Sequence, residues 1–352
     1  LSMVALIALV GSQVGAAVGI MNALGMKNTT IAALFACIVI IALTSMGGLM
    51  AVTVTDGFQI ILVMVGVVWI TVAALGDIGG FSGLNASLTA IQSELPEGYN
   101  VFMDSEKFKS LLWMILPGLM YIMIGQDIYQ RLFACKDHKT AIKASVCSAV
   151  LVCIVSVMPV TLGLIARVKH PELATAGTSA AAFATIAMST LPGWAVGIII
   201  AAALSAIFST ADSCLSAAAS HFMTDLYLPY IGKNVDTKDR RLVTISRAFT
   251  VIAGLAAVGV SMLLPTILDG CFYAYYIYTS GVFCPIVFGV FWKKATKQGA
   301  IAGLLAGGLF MMYALLTGFS VAGIGGELLS GIVSAIVLVV VSLATQPKKT
   351  AA

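Results

Sequence analysis

Eight stretches of this chain carry no Asp, Glu, Lys or Arg: residues 1–26, 28–55, 57–76, 144–166, 248–268, 270–292, 298–326 and 328–347. Each is at least 20 residues long, and a helix needs about 20 apolar residues to cross the hydrocarbon of a bilayer. Of the 352 residues, 60% are hydrophobic and only 10% charged, whereas a soluble domain carries about a quarter charged residues. No soluble core of this size hides so much apolar surface behind so little charge. Alternating apolar and polar residues are missing, and the apolar runs are too long for barrel strands. The sequence therefore predicts an all-α integral membrane protein with ten spans, at about 1–24, 30–46, 49–75, 109–130, 141–166, 193–222, 243–264, 270–292, 298–317 and 326–345.

The basic residues sort onto two sides of that plan. The loops after spans 4, 6 and 8 and the C-terminal tail hold fourteen Lys and Arg, from Arg131 to Lys349, and the opposite side holds five: Lys27, Lys107, Lys109, Arg167 and Lys169. The positive-inside rule puts the fourteen in the cytoplasm, so both chain ends are expected there, in a multi-pass protein of the cell membrane. Gly47-Gly48 predicts a tight cytoplasmic turn between spans 2 and 3. Residues 77–107 are the longest polar stretch and are expected outside as a loop. Residues 171–191, bracketed by Pro171 and Pro192, are expected as an external helical segment over the transport path. Otherwise residues 1–352 read as one transmembrane domain. The chain opens at Leu1 inside an apolar run, with no initiator Met and no cleavage-type signal, which predicts a fragment whose natural start lies upstream.

Carboxylates at membrane depth are costly and mark pathways or partners. Three stand out: Asp56 in VTVTDGFQ, Asp127 in GQDIYQR and Asp212 in AIFSTADSCLS. Ser205, Ser209, Asp212, Ser213, Ser216 and Ser220 recur at steps of three or four and form one polar stripe on span 6. Hydroxyls, a carboxylate and backbone carbonyls are the oxygen ligands that a hard cation takes. The same stripe also suits close helix packing, with hydroxyls bonded back to their own helix. Asp56 reads either as a pathway charge or as a helix-terminal one. Asp127 and Arg131, four residues apart, are expected to pair at a helix end with Arg131 reaching water. The aromatic cluster Phe272, Tyr273, Tyr275, Tyr276 and Tyr278 reads as a cavity lining or, favoured by nearby Asp269, as an interfacial belt. The seven Cys and three His show no metal spacing or nucleophile–base pattern, so neither a zinc site nor an enzyme is expected. The net charge of +4 comes from the loop bias and gives no reason to expect a nucleic-acid partner.

Four segments, in order, resemble the sodium:solute symporter family: MGGLMAVTVTDGFQ, GQDIYQRLFACKD, AIFSTADSCLSAAASHFMTDLY and GVFWKKATKQGAIAGLLAG. The resemblance implies a five-plus-five inverted-repeat symporter fold, and span 1 resembles the third core helix, so the first two core helices are expected to be missing and the chain alone is not expected to transport. It implies a main sodium site at the Ala206 carbonyl with the Ser209 and Thr210 hydroxyls. A second sodium would meet Asp56, Ser209, Asp212 and Ser213. Tyr121 resembles an aromatic that closes the solute cavity from the cytoplasmic side, with Gln126 beside it. The implied function is sodium-coupled import of a small solute, with Na+ as the co-transported ion and amino acids, sugars, vitamins, carboxylates or inorganic anions as the solute classes. A membrane solute-sensing domain of a signalling protein is the alternative, and a signalling extension after Ala352 would favour it.

Overall fold

The computed structural model describes residues 1–46, 49–95, 105–174, 178–233, 235, 239–321 and 324–346. The Gly47-Gly48 turn and residues 96–104 of the polar stretch lie outside the described residues. The helices are α1 (Ser2–Ala23), α2 (Thr29–Met46), α3 (Leu49–Ile78), α4 (Gly80–Ala90), α5 (Ser105–Ile124), α6 (Gln126–Phe133), α7 (His138–Val155), α8 (Val157–Lys169), α9 (Ala182–Thr190), α10 (Gly193–His221), α11 (Arg240–Leu263), α12 (Ile267–Ile277), α13 (Cys284–Phe291), α14 (Lys297–Thr317) and α15 (Gly326–Ala344). A π-helical stretch, Phe222–Ile231, continues α10, and another, Tyr278–Phe283, joins α12 to α13. A two-residue antiparallel ribbon, β1 (Ser320–Val321) with β2 (Ile324–Gly325), pairs Ser320 with Gly325 between α14 and α15.

Among the described residues, seven helical runs are long and apolar enough to cross a bilayer: α1, α3 from Asp56, α7 with α8, α10 with its π extension, α11, α12 with α13, and α14. The three other expected spans are present as shorter apolar helices, Thr29–Ser45, Ile115–Ile124 and Leu328–Ala344. Span 5 is two helices that meet at Ser156, with Pro159 in the first turn of the second. Residues 171–191 hold two short 3-10 turns and the nine-residue α9, which at 1.5 Å per residue is too short to span. The polar stretch after Asp77 is helical through α4. Gly79 and Gly80, at φ of 83° and 72°, turn the chain there, and Leu84 and Leu88 give the new helix a buried face.

The helix ends follow local chemistry. The side chains of Asp137, Asp239 and Thr296 accept the backbone N–H groups of Thr140, Arg241 and Gly299, capping α7, α11 and α14. Gly318, at φ 65°, closes α14 in the left-handed conformation.

The chain forms two compact units. The larger comprises Leu9–Val101 and Arg131–Gly270. Its core lies where α3, α8, α9 and α10 meet, around Ile70, Ala74, Ile165, Ala184, Ile186 and Ile199. On α3 the outward stripe is also apolar: Phe58, Ile61, Val65 and Val72 are each 59–71% exposed. A helix that buries one apolar face and leaves the opposite face equally apolar suits hydrocarbon as its solvent, not water. The smaller unit comprises Leu1–Ala8, Phe102–Gln130 and Cys271–Ala352. In it α14 lies against α15 and the π-helical Tyr278–Phe283 segment. Gly299, Gly303 and Gly307, one turn apart on α14, bring the backbones together, since an added Cβ at Gly303 would meet the Ser334 carbonyl and the Leu338 Cβ, each at 2.8 Å.

Candidate cation site and aromatic cluster

The larger unit brings Asp56 of α3 to the serine stripe of α10. Ser209 Oγ donates to Asp56 Oδ1 at 2.5 Å. Ser213, one turn later, donates to the Ser209 carbonyl at 3.0 Å. Thr210 Oγ1 donates to the Ala206 carbonyl at 3.0 Å. Ser213 and Thr210 thus bond back to their own helix, as the packing alternative requires, while Ser209 reaches a carboxylate on another helix. Ser209 and Ser213 are half-buried, while Thr210 is exposed.

Arg131 lies in the same cluster. Its Nη2 donates to Ser213 Oγ at 2.6 Å and sits 3.4 Å from Asp56 Oδ2. The expected Asp127–Arg131 pair is therefore replaced by other partners. Asp127 Oδ1 accepts the Tyr121 hydroxyl at 2.5 Å instead. The reason is local: α5 ends at Ile124 and α6 starts at Gln126, so Asp127 sits in the first turn of a new helix and faces back across Gly125. A Cβ at Gly125 would lie 3.0 Å from Asp127 Oδ1 and 3.1 Å from Tyr121 Cζ, so glycine makes room for the contact.

Asp212 is only 4% exposed. A helix turns about 100° per residue, so position 212 is rotated some 60° from Ser209 and 100° from Ser213. Thr44 of α2, whose hydroxyl donates to the Ile40 carbonyl at 2.9 Å, neighbours the Asp212 carboxyl group, with Asp56 and Arg131 within electrostatic range. Among the residues expected to meet a second cation, Ser209 touches Asp56 directly and Ser213 shares Arg131 with Asp56, while Asp212 is buried near them.

In the smaller unit, Tyr121 of α5 is 6% exposed and packs on Tyr275 and Tyr278, with ring centroids 4.9 Å away in both cases. The Tyr278 ring is edge-on and 1% exposed. These two tyrosines thus belong to an interior aromatic cluster, not to an interfacial belt. Gln126, half-buried, opens α6 beside it.

Sequence reasoning missed one member of this chemistry, Arg131 as the partner of Asp56 and Ser213. Arg131 is 75 and 82 residues from its partners, and its own segment offered a nearer carboxylate.

Several known proteins are similar to this chain. The chain is 31% identical over 299 residues to a sodium/glucose cotransporter of Vibrio parahaemolyticus, covering 76% of this chain and 53% of that protein. It is 27% identical to the sodium/proline symporter of Escherichia coli, covering 80% and 58%, and 28% identical to a sodium/pantothenate symporter of Haemophilus influenzae, covering 84% and 59%. The chain thus spans between half and three-fifths of the length of these curated relatives. A solved structure of a Na+-coupled sialic acid symporter, in a substrate-bound outward-open state, shares the fold at a TM-score of 0.70 and 16% identity, covering 99% of this chain and 75% of that one. The family model described as "Sodium:solute symporter family" matches residues 1–307. With that match across most of its length, the chain belongs to the sodium:solute symporter family.

Proposed function

We propose that this chain is the ion-binding part of a sodium-coupled importer of a small organic solute. The observation that carries the reading is the Asp56–Ser209 contact between α3 and α10. A carboxylate and hydroxyls held together at membrane depth provide the oxygen ligands a hard cation takes. The relatives' names add sodium and solutes of the sugar, amino-acid and vitamin kind.

In this reading Asp56, Ser209, Asp212 and Ser213 hold one sodium, and the Ala206 carbonyl with Ser209 and Thr210 contributes to the main sodium site. Tyr121, held by Asp127, closes the solute path, and Gln126 flanks it. The Lys169–Asp77 ion pair, 3.1 Å, joins two groups that charge sorting assigns to the external side, which supports an orientation with both ends of the chain in the cytoplasm and α9 outside. Coupling requires only that sodium bind one conformational state more tightly than the other, so that its gradient biases the equilibrium.

Sodium-dependent uptake by the whole protein in proteoliposomes tests this. Ser209→Ala and Asp56→Asn are each expected to raise the sodium concentration for half-maximal uptake by about tenfold or more, equivalent to about 1.4 kcal/mol. Wild-type sodium dependence in both variants removes the site.

A further inference from the structure

We propose that Arg131 is a tethered cation that occupies the Asp56–Ser213 site and must be displaced by the incoming ion, so that Arg131 sets how much sodium the site needs. The inference rests on the reading of Asp56, Ser209 and Ser213 as cation ligands. The guanidinium donates to Ser213 Oγ at 2.6 Å and faces the Asp56 oxygen that Ser209 leaves free, at 3.4 Å. Asp56 Oδ1 is already engaged by Ser209. The Ser213 hydroxyl spends its proton on the Ser209 carbonyl and offers its lone pairs to Arg131. Those lone pairs and the second Asp56 oxygen are the atoms a sodium ion would coordinate. Arginine and sodium therefore compete for the same two acceptors.

The lock is of a strength that an ion can release. The Arg131 and Asp56 side chains are 53% and 27% exposed, and the ion-pair distance exceeds that of a good charge-assisted hydrogen bond. An exposed pair of this kind contributes little. The long arginine stem also lets the guanidinium swing to water when displaced, while the charge of Asp56 stays compensated in both states.

The experiment uses the whole protein in proteoliposomes and reads the sodium concentration for half-maximal uptake. Arg131→Gln removes the competitor, and that concentration is expected to fall about threefold, as for the loss of a largely exposed competing ion pair. Arg131→Lys, shorter and unable to fork, is expected to fall between wild type and Gln. Free guanidinium added to Arg131→Ala is expected to raise the sodium requirement back toward wild type, and to act much less on the wild-type protein. That readout would not move if Arg131 only braced the helices. An unchanged or raised sodium requirement in Arg131→Gln, with no competition from guanidinium in Arg131→Ala, overturns the proposal. If Gln and Ala fail to fold, an unchanged requirement in Arg131→Lys overturns it equally. Should wild-type uptake respond to Asp56→Asn but not to any Arg131 variant, only this inference fails. Should it respond to neither, the cation-site reading fails with it.

Discussion

Replacing Gly303 by alanine isolates what the glycine stripe of α14 does. The added methyl carbon would lie 2.8 Å from the Ser334 carbonyl oxygen and 2.8 Å from Leu338 Cβ, with Leu338 Cα at 3.4 Å. Ordinary contacts between such atoms are 3.5–4.0 Å, so the deficit is about 0.7 Å or more. Two of the three atoms met are backbone atoms of α15, which cannot turn aside as a side-chain tip does. The helix pair must separate, and every contact along it loosens. Overpacking of this kind costs about 1–3 kcal/mol. Gly308 provides the control on the same helix, since a Cβ there would meet only Leu1 Cδ1, at 3.9 Å. Thermal denaturation of the detergent-purified protein should place Gly303→Ala several degrees below wild type and Gly308→Ala at or slightly above it, since alanine is the better helix former. A Gly303→Ala protein as stable as Gly308→Ala would refute the argument that backbone approach, and not merely small volume, fixes glycine here.

Tyr121→Phe keeps the ring against Tyr275 and Tyr278 and removes only the hydroxyl that Asp127 accepts, so a loss of about 1–2 kcal/mol is expected. Tyr121→Ala also empties the ring's place and should lose about 3–5 kcal/mol; equal melting temperatures for the two variants would contradict this ordering. At the start of α7, the Asp137 carboxyl is held below the usual carboxylate range, mainly by the Thr140 backbone N–H and then by the Thr140 hydroxyl. Its stabilising effect is therefore complete above the unfolded-state value and is lost as pH falls through the lower folded-state value. Hydrogen exchange at Thr140 should accelerate, relative to the intrinsic rate, below about pH 4 in the wild type but not in Asp137→Asn, which keeps an uncharged cap. Equal acid sensitivity in both would assign the effect to another group.

The spans were legible because hydrocarbon imposes its demand on composition, which any window of the sequence displays. The stripe on α10 was legible for a related reason: a helix has a fixed period, and Ser209 and Ser213 fall on one face whatever surrounds them. Asp212, counted in the same stripe, is rotated some 60° from Ser209 and is buried, with Asp56, Arg131 and Thr44 of α2 as neighbours. The aromatic cluster showed the limit of nearness in sequence, since Asp269 suggested an interface while Tyr278 is enclosed by Tyr121, some 150 residues earlier.

Arg131 is the most instructive case. Four residues after Asp127 it had an apparent partner at ideal helical spacing, and nothing local argued otherwise. Two tertiary facts undid that pairing. The break at Gly125 turned Asp127 toward Tyr121, and the placement of Arg131 beside α3 and α10 offered a carboxylate and a hydroxyl together. Sequence thus offered the oxygens proposed as cation ligands, because ligand chemistry belongs to residue types. The guanidinium they meet in the fold belongs to a third segment, and it reaches them through contacts formed across 75 residues or more. In the proposed site the arginine and the sodium ion would be alternatives only because the fold brings that segment to the same two oxygens.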